Sequence, residues 1–322
     1  MKSKEEIKQI ANQCIEQEAG AINHLKELLN DDFVAAVETI FSNKGGKVVI
    51  CGIGKSANIA QKIVATFNST GTTAVFMHAA DAIHGDLGII QKEDIIICLS
   101  KSGNTPEITV LLPMLKTLGN KVIAIVGNKN SYLAKQSDFV LDCTVEKEAC
   151  PYNLAPTASS TAQLVLGDAM AMCLMSMRGF SADDFARVHP GGALGKRLYL
   201  RVEDICKNNE CPKVEPLTDL NSIIYEISSK RLGVTAVVEN GKIAGIITDG
   251  DLRRMLEKTP NLQNIKAKDI MSQNPKIIQQ NELAVKALEI MRKYSITSIL
   301  VSDNEQYTGV IHLHDLLKEG IF

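Results

Sequence analysis

The sequence predicts an α/β chain: a doubly wound parallel sheet of five strands, followed by a tandem pair of smaller α+β modules. Three observations predict it. Five short β-branched runs alternate with helical segments: 47–51, 73–77, 94–99, 121–126 and 139–145. The loops after those runs hold much of the chain's Gly, Ser, Thr and His, as expected where ligands meet the carboxyl ends of parallel strands. The last third repeats itself at a period of roughly 64 residues, too long for a solenoid unit.

Two helices come first. Ile7, Ile10, Cys14, Ile15, Ile22, Leu25 and Leu29 recur at helical spacing between Lys4 and Leu29, and a second such segment runs from Phe33 to Phe41. The sheet follows, closed by a long helix from about Thr157 to Met177. In the repeat, Asp204 pairs with Asp269, Pro212 with Pro275, Gly245 with Gly309 and Asp251 with Asp315. The expected domains are therefore 1–46, helices packing on the sheet domain; 47–200, the sheet domain; and 201–260 and 265–322, the two repeats.

Composition narrows the function. With 45% hydrophobic and 22% charged residues, the 322-residue chain can bury full cores. Its formal net charge of −2, with no basic patch, gives no field for nucleic acid or anionic lipid. No apolar run reaches the roughly 18–20 residues of a membrane span, and the charged start does not resemble a signal peptide, so a cytoplasmic protein is expected. The eight cysteines are read as reduced thiols, and Cys206 with Cys211 lacks the second ligand pair of a structural zinc site.

The chemistry lies in two loops. "GIGKS" follows the first strand, but Val49 stands where a Walker A loop needs glycine. Gly52-x-Gly54-x-x-Ala57 satisfies a loose dinucleotide fingerprint, yet the second strand ends in Met77 and His78 rather than the acidic residue that would hold a ribose. After the third strand, "SKSGNTPE" sets Ser100, Ser102 and Thr105 around Gly103, just before a helix opened by Pro106. Three hydroxyls and free amides at a helix N-terminus make a phosphate site, although Thr105 is equally a plausible N-cap.

These loops resemble those of sugar isomerase (SIS) domains, and the repeat resembles a tandem pair of CBS domains. The ordered motifs "GIGKSA", "STGT", "HGDLG", "KEAC", "LAPTASST", "HPGGALGKRL" and "TDGDLRR" resemble the arabinose 5-phosphate isomerase family essentially end to end. That family interconverts D-ribulose 5-phosphate and D-arabinose 5-phosphate through an enediol, supplying the eight-carbon acid Kdo of lipopolysaccharide or capsule. The resemblance implies catalytic positions at Lys55, Glu107, Glu148 and His189, and substrate contacts at Gly71, Thr72, His78 and His84. Ser56, Ser100, Ser102 and Thr105 complete the expected phosphate clamp. Lys101 stands where the family commonly has Asn.

An enediol route needs a base, and a donor for the charge on oxygen. Glu148 is expected to shuttle the proton between C1 and C2, Lys55 to stabilise the enediolate, Glu107 to position hydroxyls, and His189 to open the furanose or move hydroxyl protons. His189 would be folded back onto the site or offered to a neighbouring subunit. The two glutamates could exchange roles, and Glu107 in a first helical turn is favoured by the helix dipole in any case. No cofactor is required; a divalent ion such as zinc at His78 and His84 would be inhibitory or incidental. In the repeats, Thr248, Asp251, His312 and Asp315 match ribose-contacting positions, with helix capping as the competing explanation. The family forms homotetramers, and a nucleotide or nucleotide-sugar effector would suit the CBS pair. A nicotinamide oxidoreductase, an isomerase of another sugar phosphate and a non-catalytic sugar-phosphate sensor are the competing readings.

Overall fold

The computed structural model describes residues 2–258 and 262–322; the domain boundary expected at residue 260 lies outside them. The chain forms two compact units, one ending at Ser181 and one beginning at Ala182.

In the first unit, α1 (Lys4–Leu28) and α2 (Asp31–Ser42) precede the sheet, each with a side-chain N-cap, from Ser3 and Asn30. Then β1 (Val48–Gly52), α3 (Lys55–Ser69), β2 (Ala74–His78), the short α4 (Ala79–Ala82) and β3 (Ile95–Ser100) follow. The unit continues with α5 (Pro106–Leu118), β4 (Lys121–Val126), α6 (Tyr132–Gln136), β5 (Phe139–Asp142) and α7 (Ala158–Met177). All pairings are parallel, in the order β2-β1-β3-β4-β5. Alternate strand residues feed two cores: Ile50, Ile97 and Ile125 pack toward α2, α3 and α7, while Cys51, Cys98 and Val126 pack toward α5 and α6. The five predicted strands and the doubly wound class are thus observed.

The order reverses direction between β1 and β3, which opens a crevice at the carboxyl ends of those two strands. The periodic face of α1 behaves differently from its expected packing role. Ile7, Ile10 and Ile15 are exposed and only Leu25 is buried, because α1 meets α7 and β5 mainly at one end of its apolar stripe.

The second unit holds α8 (Ala182–Val188), α9 (Ala193–Tyr199) and α10 (Val202–Cys206), then two matching modules. The first comprises β6 (Lys213–Val214), α11 (Leu220–Lys230), β7 (Val234–Glu239), β8 (Lys242–Thr248) and α12 (Asp249–Lys258). The second comprises α13 (Ala267–Ile270), β9 (Ile277–Gln279), α14 (Ala284–Tyr294), β10 (Ser298–Asp303), β11 (Gln306–His312) and α15 (Leu313–Lys318). Their strands join in one sheet, β6-β7-β8-β11-β10-β9. The hairpins share a bulge at equivalent places, opposite Gly245 at Val237/Val238 and opposite Gly309 at Val301/Ser302. That shared irregularity is the structural image of the sequence repeat. No helix among the described residues is long and apolar enough to cross a membrane.

Candidate active site

A cavity of about 250 Å3 opens at the switch point, lined by Lys55 and Ser56 after β1, by Ser100, Lys101, Ser102 and Thr105 after β3, and by Ser159, Ser160 and Gln163 of α7. The "SKSG" turn holds its shape through its own hydroxyls. Ser100 Oγ accepts from the Gly103 amide at 3.0 Å and bonds Thr105 Oγ1 at 2.7 Å; Ser102 Oγ accepts from the Asn104 amide at 3.2 Å. Gly103 is required there: φ is +65°, and a Cβ would collide with Ser131. Thr105 occupies the N-cap position of α5 without a side-chain cap bond, so its hydroxyl stays with Ser100 at the cavity instead of serving the helix. The amides of the α5 first turn and these hydroxyls suit an acceptor-only phosphate.

Lys55 is exposed at the first turn of α3. Ser56 Oγ donates to Gln163 Oε1 at 3.2 Å. Glu148, in the loop after β5, is buried, and its carboxylate is fully engaged. Oε2 accepts from the Thr157 amide (2.9 Å), Thr157 Oγ1 (3.2 Å) and the Ser159 amide (3.1 Å). Oε1 accepts from Ser159 Oγ and pairs with Lys101 Nζ at 2.6 Å. Burial opposes ionisation, but Lys101, the Ser159 hydroxyl and the two amides outweigh it and bring the Glu148 pKa down to about 2. Glu107 contrasts with it: half-buried in the first turn of α5, it has no side-chain partner among the described residues.

Several expected residues lie elsewhere. Gly71 and Thr72 precede β2 and therefore sit at the amino edge of the sheet, opposite the cavity. Neither residue lines the cavity. Gly71 turns with φ +86° beneath Phe180, its carbonyl accepts from Arg178 at 2.6 Å, and the buried Thr72 borders a separate pocket with Ile40, Val48 and Arg178. His78 ends β2 with Nδ1 buried and unpaired, since Asp81 at 3.6 Å is beyond hydrogen-bond reach; exposed His84 follows α4, and neither lines the cavity. Two histidines do not fit a four-coordinate zinc site, and among the described residues no group of three or more His, Cys, Asp or Glu could hold a metal ion. His189 belongs to the second unit, where its ring stacks on Phe185 at 3.8 Å and Nδ1 meets the Phe185 carbonyl at 2.8 Å.

Sequence reasoning passed over Ser159, Ser160 and Gln163 because they read as the body of a core helix. The one available signal was the hydroxyl-rich "PTASST" at its start.

In the second unit a groove of about 790 Å3 is lined by Thr248, Asp251, His312 and His314 and by the cations Arg231, Arg253, Arg254 and Lys276. Asp251 is mostly engaged internally: its carboxylate accepts from the Thr248 amide and hydroxyl at 2.9 and 2.7 Å, from Arg254 at 2.6 Å and from Ser272 at 3.1 Å. Asp315 accepts from the His312 amide and from Asn209, a helix-capping role, and does not line the groove.

A family model for the SIS domain matches residues 40–173, and one for the CBS domain matches 202–258 and 267–321. Arabinose 5-phosphate isomerase KdsD of Pseudomonas aeruginosa is 45% identical over 97% of this chain and 96% of its own. The Francisella tularensis protein of that name is 48% identical over 94% of this chain and 93% of its own. Among solved structures, a protein of E. coli CFT073 in complex with arabinose 5-phosphate superposes with a TM-score of 0.57 at 38% identity, covering 59% of this chain and all of that one.

Proposed function

The chain belongs to the arabinose 5-phosphate isomerase family, and on that premise we propose how its residues divide the work. The protein interconverts D-ribulose 5-phosphate and D-arabinose 5-phosphate, the first step toward Kdo for lipopolysaccharide or capsule. The cavity between "GIGKS" and "SKSG" is the observation that carries the assignment of residues. Ser100, Ser102 and Thr105 with the α5 amides hold the phosphate, and the sugar extends toward Lys55. A base takes the proton from C2 of the aldose and returns it to C1, while Lys55 stabilises the enediolate oxygen.

Glu107 is the base in this proposal, and Glu148 an anchor. A carboxylate brought down to about 2 and filled by five donors is a poor proton acceptor near neutrality, whereas the partner-free Glu107 stands two residues beyond Thr105. For His189, a ring tied through Nδ1 leaves Nε2 for ring opening or hydroxyl proton transfer. The cation-lined groove of the second unit supports a nucleotide or nucleotide-sugar effector. The exposed apolar stripe of α1 supports assembly into a homotetramer. A cytoplasmic location completes the proposal, because a charged sugar phosphate does not cross an apolar bilayer unaided.

Incubation with D-ribulose 5-phosphate and a panel of pentose and hexose phosphates, read by carbon NMR, tests the function. D-arabinose 5-phosphate as the dominant product is expected. Faster turnover of a hexose phosphate would overturn it.

A further inference from the structure

We propose that Gln163 is a substrate-binding residue whose side-chain amide donates to a phosphoryl oxygen of the sugar phosphate, with Ser56 acting through it as an orienting residue. The proposal rests on the sugar-phosphate reading of the cavity.

Gln163 projects from α7 and is 2% exposed. The two ends of its carboxamide differ. Oε1 accepts from Ser56 Oγ at 3.2 Å, while Nε2 is buried with no hydrogen-bond partner. Buried donors are nearly always satisfied, so an unmatched one beside a cavity marks a place for an acceptor. Of the buried unpaired side-chain atoms among the described residues, this is the one whose residue lines the cavity at the switch point. The remaining lining is rich in hydrogen donors, from Lys55, Lys101, Ser100, Ser102 and Thr105. A phosphate dianion offers acceptors only.

Proton bookkeeping at Ser56 points the same way. A serine hydroxyl has one hydrogen, and here it is committed to Gln163, so Ser56 cannot simultaneously donate to phosphate. The chain of donation therefore runs from Ser56 to Gln163 to the ligand. With the hydroxyl donating to Oε1, Nε2 is the free end of the amide. A neutral amide adds direction without charge, complementing the two lysines.

The test compares wild type, Q163M, Q163E, S56A and the S56A/Q163M double variant. It measures KM for D-arabinose 5-phosphate, competitive inhibition by inorganic phosphate, and protection by inorganic phosphate against thermal unfolding. Q163M is expected to raise KM and weaken phosphate inhibition by about tenfold, more than it lowers kcat. Q163E, nearly isosteric but anionic and acceptor-ended, should weaken both by about a hundredfold. The double variant should be little worse than Q163M alone, because both changes remove one relay. Unchanged KM and phosphate inhibition in both Q163M and Q163E would overturn the assignment, and independent multiplication of the two single effects would overturn the role given to Ser56. If Q163M folds poorly, Q163E carries the comparison. Phosphate protection separates a failure of this proposal from a failure of the isomerase reading, since it requires no turnover.

Discussion

Lys101 Nζ lies 2.6 Å from Glu148 Oε1, joining the cavity-lining loop after β3 to the loop after β5. The carboxylate is wholly enclosed and the ammonium half exposed, so the pair places a cation at the cavity edge and leaves no bare anion beneath it. Replacing Lys101 by Met should therefore cost about 1–2 kcal/mol of stability and lower kcat/KM about tenfold. Arg at this position, keeping the charge, should recover most of both, and chemical denaturation with steady-state kinetics measures it.

The two glutamates should separate kinetically. E107Q is expected to lower kcat by roughly 100- to 10,000-fold while leaving the fold intact, since the side chain has no partner among the described residues to lose. E148Q should lower thermal stability as well as activity. Solvent-proton exchange at C2 of D-arabinose 5-phosphate distinguishes them: exchange lost in E148Q but retained in E107Q would reverse the assignment.

Stability should fall in acid. Folding lowers the Glu148 pKa from an ordinary 4.5 to about 2, so its contribution is fully present above about 4.5 and fades as pH drops toward 2. The magnitude is on the order of 3 kcal/mol. Asp94, Asp138 and Asp142 in the same unit are also lowered: burial opposes their ionisation, and is outweighed by hydrogen bonds and by Lys47, Lys121 and Lys129 respectively. Melting temperature measured from pH 7 to pH 3 should decline most steeply below about 4.5, and E148Q should flatten that decline.

The second unit should bind an anionic nucleotide in its groove. Titration calorimetry with AMP and with ATP is expected to give binding that weakens at least tenfold in the R253M/K276M variant, because both cations line the groove and neither belongs to the sugar-phosphate cavity. Equal affinity in that variant would place the nucleotide elsewhere.

The sequence by itself determined the sheet, the repeat and half of the site. β-branched runs of strand length can bury both faces only as parallel strands under crossover helices, so their order along the chain implied the sheet. "GIGKS" and "SKSG" carry their hydroxyls within a few contiguous residues, and Gly103 can be placed from local backbone demands alone. Equivalent glycines at 245 and 309 announced equivalent hairpins.

Tertiary structure decided which distant groups meet. The family resemblance implied substrate contacts at Gly71 and Thr72; the fold sets both before β2, at the amino ends of the parallel strands, away from the phosphate turn. Glu148 looked like a free base until the start of α7 and Lys101 came to surround it. Gln163 looked like one more residue of a buried helix, and only the folding of α7 against the β1 loop gives it Ser56 on one side and the cavity on the other. A side chain's donors and acceptors are local properties; which of them remain unspent depends on neighbours that only the folded chain supplies.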